Sequence, residues 1–97
     1  MAVRYRALPP PRCMAVDVDG TLIINGRVNQ AMVESVNKAL ADGYQIIVWS
    51  MRGRAYAEAA AARVGLTGDD VQCCSKPGVI VDDVGLEWLK GVRVLRR

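Results

Sequence analysis

The sequence contains no histidine, no phenylalanine and only three cysteines. Without histidine there is no imidazole base and no thiolate–imidazole zinc site. Cys13, Cys73 and Cys74 lack CxxC spacing, so reduced core cysteines are expected. Aromatics are limited to Tyr5, Tyr44, Tyr56, Trp49 and Trp88. The core must therefore be built from Val, Ile, Leu and Ala, which suits buried parallel strands, and Trp49, inside an apolar run, reads as part of it. No stretch approaches the roughly 18 apolar residues of a membrane span. The first twelve residues carry prolines and arginines rather than the apolar region of a signal peptide, so a cytoplasmic protein is the expectation.

The net charge of +3 also lacks a focus: Arg4, Arg6 and Arg12 stand near one end, Arg93, Arg96 and Arg97 at the other. Nucleic-acid footprints cluster on one face or helix, so these arginines read as solvated termini.

What is present is ordinary for a folded domain, with 52% hydrophobic and 24% charged residues in 97. One domain fits this length, and such a domain buries only about 60–70% of its unfolded surface. Residues 1–12, ending in Pro9-Pro10-Pro11, read as an N-terminal arm, because the proline run cannot donate to a sheet ladder. Residues 13–97 read as the catalytic domain.

Cys13–Val18 is a short apolar run ending in acid, expected to be a buried strand that presents Asp17 at its carboxyl end. Residues 22–28 place apolar residues around Asn25-Gly26, the pair favoured in a two-residue hairpin, and read as a small flap. Asn29 is placed to cap a helix over 30–41, with Met32, Val33, Val36 and Leu40 at helical spacing and Gly43 as the stop. A second strand is expected over 45–50 and an alanine-rich helix over 54–64, closed by Gly65. Further strands are expected over 71–74, 78–82 and 92–95, with a short helical turn around 86–89. Strands alternating with helices predict an α/β fold, a three-layer Rossmann-like parallel sheet with helices on both faces. Ligands of such sheets bind beyond the carboxyl ends of the strands, where Asp17, Asp19, Ser50, Lys76, Asp82 and Asp83 fall.

Asp17-Val18-Asp19 sets two carboxylates one residue apart before Gly20, which lets the backbone turn sharply. Such a pair can divide the labour: one attacks phosphorus, while the other protonates the leaving oxygen and later activates water. Attack by an anion on an anion needs positive charge. Lys76, and a cation held by Asp17 with Asp82-Asp83, would supply it. All-oxygen ligands select a hard ion, Mg²⁺. Ser50 can donate a hydrogen bond to a phosphate oxygen. Arg52 and Arg54, just beyond Ser50, could contact a substrate's leaving group, but an arginine at a helix start is more often solvated, and that is how both read.

Asp17-Val18-Asp19-Gly20-Thr21, Ser50 after Ile46–Trp49, Lys76, and Asp82-Asp83 after Val79–Val81 together resemble the four motifs of the haloacid dehalogenase-like (HAD) superfamily, over about residues 13–95. The resemblance is to small HAD-type hydrolases of phages and bacteria, and it implies a minimal HAD core with no cap domain. It implies Asp17 as nucleophile, Asp19 as general acid/base, Ser50 as phosphate donor and Lys76 as the group that steadies nucleophile and phosphate. Mg²⁺ would be held by Asp17, the Asp19 carbonyl and Asp82, with Asp83 in support. An acid at position 19 favours phosphate chemistry over dehalogenation. The expected activity is thus that of a magnesium-dependent phosphatase, a phosphoric monoester hydrolase working through an aspartyl-phosphate. Capless relatives often close their sites with a neighbouring subunit, so a homo-oligomer is expected.

Two other classes share parts of the pattern. A phospho-receiver domain places its acid pair early and phosphorylates a separate mid-chain Asp, whereas here Asp82-Asp83 comes last. A non-catalytic binding module would have little use for an intact Asp17 and Asp19. The substrate is left open among a nucleotide, a sugar phosphate and a polynucleotide 3′-phosphate.

Overall fold

The apolar run at the start becomes β1, Cys13–Asp17. The next elements are the two-residue strands β2, Ile23–Ile24, and β3, Arg27–Val28, then helix α1, Gln30–Ala41. Strand β4, Gln45–Ser50, helix α2, Arg54–Val64, and strand β5, Val71–Ser75, complete the alternation. The computed structural model describes residues 11–83, 85 and 87–96; of the arm expected at residues 1–12, residues 1–10 fall outside these.

The architecture is mixed α/β, with a three-stranded parallel sheet in the order β1-β4-β5 and two helices. Each crossover steps to the next strand in the same direction. Right-handed connections then put both helices on one face of the sheet. The burial pattern agrees. Val16, Ile46 and Val48 share a core with Val33, Val36 and Ala39 of α1 and Ala57, Ala60 and Ala61 of α2. Alanines on α2 let that helix approach the sheet closely, while the branched aliphatics of α1 fill more of the layer.

The opposite face carries Ala15, Ile47, Trp49, Gln72 and Cys74, all exposed or half-buried. Helices on both faces are therefore found on one face only within this unit. Trp49, expected in the core, sits instead on the far face of β4, and Cys13 is exposed rather than buried. Strict alternation along β4 decides this: Ile46, Val48 and Ser50 point inward, so Trp49 cannot.

Arg12–Lys76 form one compact unit, and residues from Pro77 onward belong to another. In that second unit the strands expected over 78–82 and 92–95 are not formed; among the described residues its regular element is a 3₁₀ helix, Glu87–Gly91. Leu86, where the expected helical turn begins, lies outside the described residues. A β-branched run becomes a strand only when a ladder partner takes its backbone groups, and Val79 and Val81 are instead solvent-exposed, Val81 at 95%.

Among the described residues no helix is long and apolar enough to cross a membrane.

Candidate active site

The site begins in the turn after β1. The carbonyl of Val18 accepts hydrogen bonds from the amides of Thr21, Leu22 and Ile23 at 3.2, 2.9 and 3.0 Å, and the amide of Gly20 donates to Ile23 at 2.8 Å. Gly20 adopts φ +81°, a conformation costly for any residue with a Cβ. Val18 and Leu22 are fully buried on either side of Asp19, so the loop is nailed to the core while Asp19 points out. Asn29 secures the other flank. Its Oδ1 caps α1 by accepting from the Met32 amide, its Nδ2 donates to Thr21 O at 3.0 Å, and its amide donates to Leu22 O. The flap forms as expected, with Asn25 at φ +52° and Gly26 at φ +76° in its turn. Arg63 of α2 ties the flap down by donating to Gly26 O at 2.6 Å.

The register brings three strand ends level: Asp17 pairs with Trp49, and Ser50 with Ser75. Lys76, the next residue, donates its amide to Ser50 O at 3.0 Å. Its side chain then spans the end of β4 to reach β1, where Nζ lies 3.1 Å from Asp17 Oδ1. Asp17 and Lys76, expected together, are together.

Ser50 is only 2% exposed. Its Oγ accepts from the Arg52 amide at 3.0 Å, and its carbonyl accepts from Gly53, so the serine also shapes the turn into α2. Accepting that bond leaves the hydroxyl hydrogen for another acceptor.

The sequence reading missed a cluster on the other side of Asp19. The Tyr56 hydroxyl donates to Asp19 Oδ1 at 2.6 Å, and Arg52 Nη1 donates to the Tyr56 oxygen at 3.1 Å. Arg52 also lies 3.6 Å from Asp19 Oδ2 and stacks over the Tyr56 ring at 4.1 Å. The hydrogen bond to Asp19 is the main reason the Tyr56 phenol is pushed above its ordinary pKa; burial adds to this and the Arg52 charge opposes it. Arg52 is thus engaged at the site rather than merely solvated. Arg54 makes only an exposed pair with Glu58 at 3.3 Å, one turn along α2. The four-residue spacing of Arg52 and Tyr56 at a helix start was a signal that the two could meet. That they meet over Asp19 depends on the helix docking, which spacing does not encode. A shallow depression of about 190 Å³, lined by Ile23, Tyr56, Ala59, Ala60 and Arg63, lies beside this cluster.

Asp82 and Asp83 are exposed and belong to the unit beginning at Pro77. Among the described residues no group of three or more Cys, Asp or Glu side chains converges as a metal site would. The donors within Arg12–Lys76 still suit a hard cation. Mg²⁺ uses one or two carboxylates beside waters and substrate phosphate, and Asp17 offers a carboxylate only about a third exposed. The bonds that build the turn end on Val18 and Ile23 and do not use the Asp19 carbonyl.

Comparison with protein-family models, with curated proteins and with solved structures finds no significant match.

Proposed function

We propose that the chain is a Mg²⁺-dependent phosphomonoester hydrolase of the HAD type, working through an aspartyl-phosphate on Asp17. The observation that carries the reading is the Lys76–Asp17 ion pair at the carboxyl edge of a parallel sheet, with Asp19 two residues away on a rigid turn. That edge is where α/β sheets bind their ligands.

In this mechanism an Asp17 carboxylate oxygen forms a bond to phosphorus as the ester bond breaks. The leaving oxygen takes a proton from Asp19. Water then attacks the same phosphorus, giving its proton to Asp19, and the Asp17–phosphorus bond breaks to release inorganic phosphate. Lys76 offsets the repulsion between Asp17 and the incoming phosphate, and the Ser50 hydroxyl donates to a phosphate oxygen. Mg²⁺, held by Asp17 and the Asp19 carbonyl, would add charge neutralisation at that phosphate.

The three-layer form of the fold belongs to the same proposal. It requires the face bearing Ile47 and Trp49 to be covered, as parallel sheets generally are. The reading includes a homo-oligomer that shuts the site from water. Light scattering across the active concentration range checks that part: a monomeric mass throughout would remove it and move weight to a bulky substrate such as a polynucleotide 3′-phosphate.

The test of the function is turnover of an aryl phosphate with Mg²⁺ by the wild type and by Asp17→Asn. Asparagine cannot form the acyl-phosphate, so that variant should be inactive. Wild-type turnover in Asp17→Asn would overturn the covalent mechanism.

A further inference from the structure

We propose that Tyr56 is the positioning residue of Asp19 and that Arg52 sets the direction of its hydroxyl. The inference rests on the phosphohydrolase reading above and adds to it two residues that the motif pattern does not contain.

Asp19 stands on a turn with its side chain half exposed. Left alone, such a carboxylate samples several rotamers, and only some bring an oxygen to an ester. A group that transfers a proton must lie within hydrogen-bond reach of its target. The 2.6 Å contact from Tyr56 to Oδ1 removes that freedom, at a separation characteristic of short hydroxyl–carboxylate bonds. Tyr56 can do this because it rises from the first turn of α2 beside the fully buried Ala57, so its ring is carried by a helix anchored in the core.

The direction of the hydrogen follows from donor chemistry. A guanidinium can only donate. Since Arg52 Nη1 donates to the Tyr56 oxygen, the phenol must accept there, and its single hydrogen is left for Asp19. Arg52, stacked on the ring, holds this arrangement from above.

With Oδ1 taken, Oδ2 is the oxygen that exchanges a proton with the leaving group and then with water. Arg52 faces Oδ2 across 3.6 Å in an exposed pair, which is a weak contact. An incoming phosphate can draw Arg52 away from Oδ2 while Tyr56 keeps its hold on Oδ1. Assistance from Asp19 matters most when the leaving oxygen is a poor leaving group, and Tyr56 should matter in the same proportion.

The experiment compares the full-length wild type with Tyr56→Phe, which removes only the hydroxyl, in the presence of Mg²⁺. Two esters are used: para-nitrophenyl phosphate, whose leaving group needs little protonation, and phenyl phosphate, whose leaving group needs more. The expected result is a fall in kcat/KM of about tenfold or more on phenyl phosphate and of less than about twofold on para-nitrophenyl phosphate, because kcat/KM reports the steps up to departure of the leaving group and leaves out the later attack of water, which both esters share. In an Asp19→Asn background the added Tyr56→Phe change should alter kcat/KM on phenyl phosphate by less than about twofold, because the two residues act as one unit. Equal losses of kcat/KM on both esters, no loss on either, or an additive loss in the Asp19→Asn background would each overturn the proposal. A wild type with no turnover that depends on Asp17 would instead remove the phosphohydrolase reading, and this inference with it. Thermal melting of Tyr56→Phe guards against a folding defect, which would lower both esters alike.

Discussion

Lys76 Nζ sits 3.1 Å from Asp17 Oδ1, joining the residue that follows one edge strand of the sheet to the last residue of the other. The lysine can reach because the Ser50 carbonyl holds its amide at the end of the central strand. The pair is about two-thirds screened from solvent on each side, so it is a contact between partly desolvated charges rather than a loose surface bridge.

Removing that cation while keeping its length should therefore hurt chemistry more than folding. Lys76→Met is expected to lower kcat by about 100-fold, the usual scale for a lost electrostatic contact in an active site, with a melting temperature close to wild type. Steady-state kinetics and a thermal scan check both halves. A variant with wild-type kcat would separate Lys76 from the reaction.

Magnesium should stabilise the fold, because a ligand that binds the native state shifts the unfolding equilibrium. At 100 times its dissociation constant the gain is about 2.7 kcal/mol. Asp17→Ala should abolish the shift in melting temperature. Superimposed scans of the wild type with and without Mg²⁺ would count against the proposed metal.

Tyr56 should ionise late. Its phenol is pushed above the ordinary value of 10.0, first by the hydrogen bond it donates to Asp19. Because the folded pKa is raised, the associated stabilisation is fully present below the unfolded value and is lost as pH rises through the folded one. Phenolate absorbance, taken as the difference between wild type and Tyr56→Phe, should show this transition above that of an unperturbed tyrosine. In Asp19→Asn it should move down, since the charged acceptor is gone. A transition that stays put in Asp19→Asn would mean that the hydrogen bond is not the cause.

Leu22 connects the site to stability. It is fully buried three residues beyond Asp19, and its amide helps to close the turn on Val18. Leu22→Ala should cost about 2–5 kcal/mol through lost burial and a residual cavity, a large share of what a small domain has to lose. Urea denaturation should show the midpoint falling sharply. Thr21→Ala, beside it but without a buried side chain, should change the midpoint far less.

Much of the fold was legible in the residues. Asn29 announced a helix cap and caps α1; Asn25-Gly26 announced a hairpin turn and takes the left-handed conformations the turn requires. The Cys13, Gln45 and Val71 runs became strands, and Asp17 and Lys76 met at the edge they were expected to share. The cap, the turn and the strands were legible because they depend on short-range physics, a side chain against its own backbone or the two-residue repeat of a strand. The meeting of Asp17 and Lys76, distant in the chain, followed instead from the rule that ligand-binding groups gather at the carboxyl ends of parallel strands.

What the residues left undecided depended on neighbours distant in the chain. Val79-Ile80-Val81 has the composition of a strand, yet no ladder partner takes it. Trp49 reads as core by its apolar company, but the alternation of β4 against two helices on one face turned it to the other. Arg52 looked like a solvated residue at a helix start until α2 docked and set Tyr56 against Asp19, 37 residues earlier in the chain. By itself, then, the sequence determined the elements between Cys13 and Ser75 and the acid pair, because local geometry writes those into adjacent residues. Only the tertiary structure decided which strands found partners, which face of the sheet was covered and what grips Asp19, because each is set by packing between segments whose order along the chain says nothing of their distance in space.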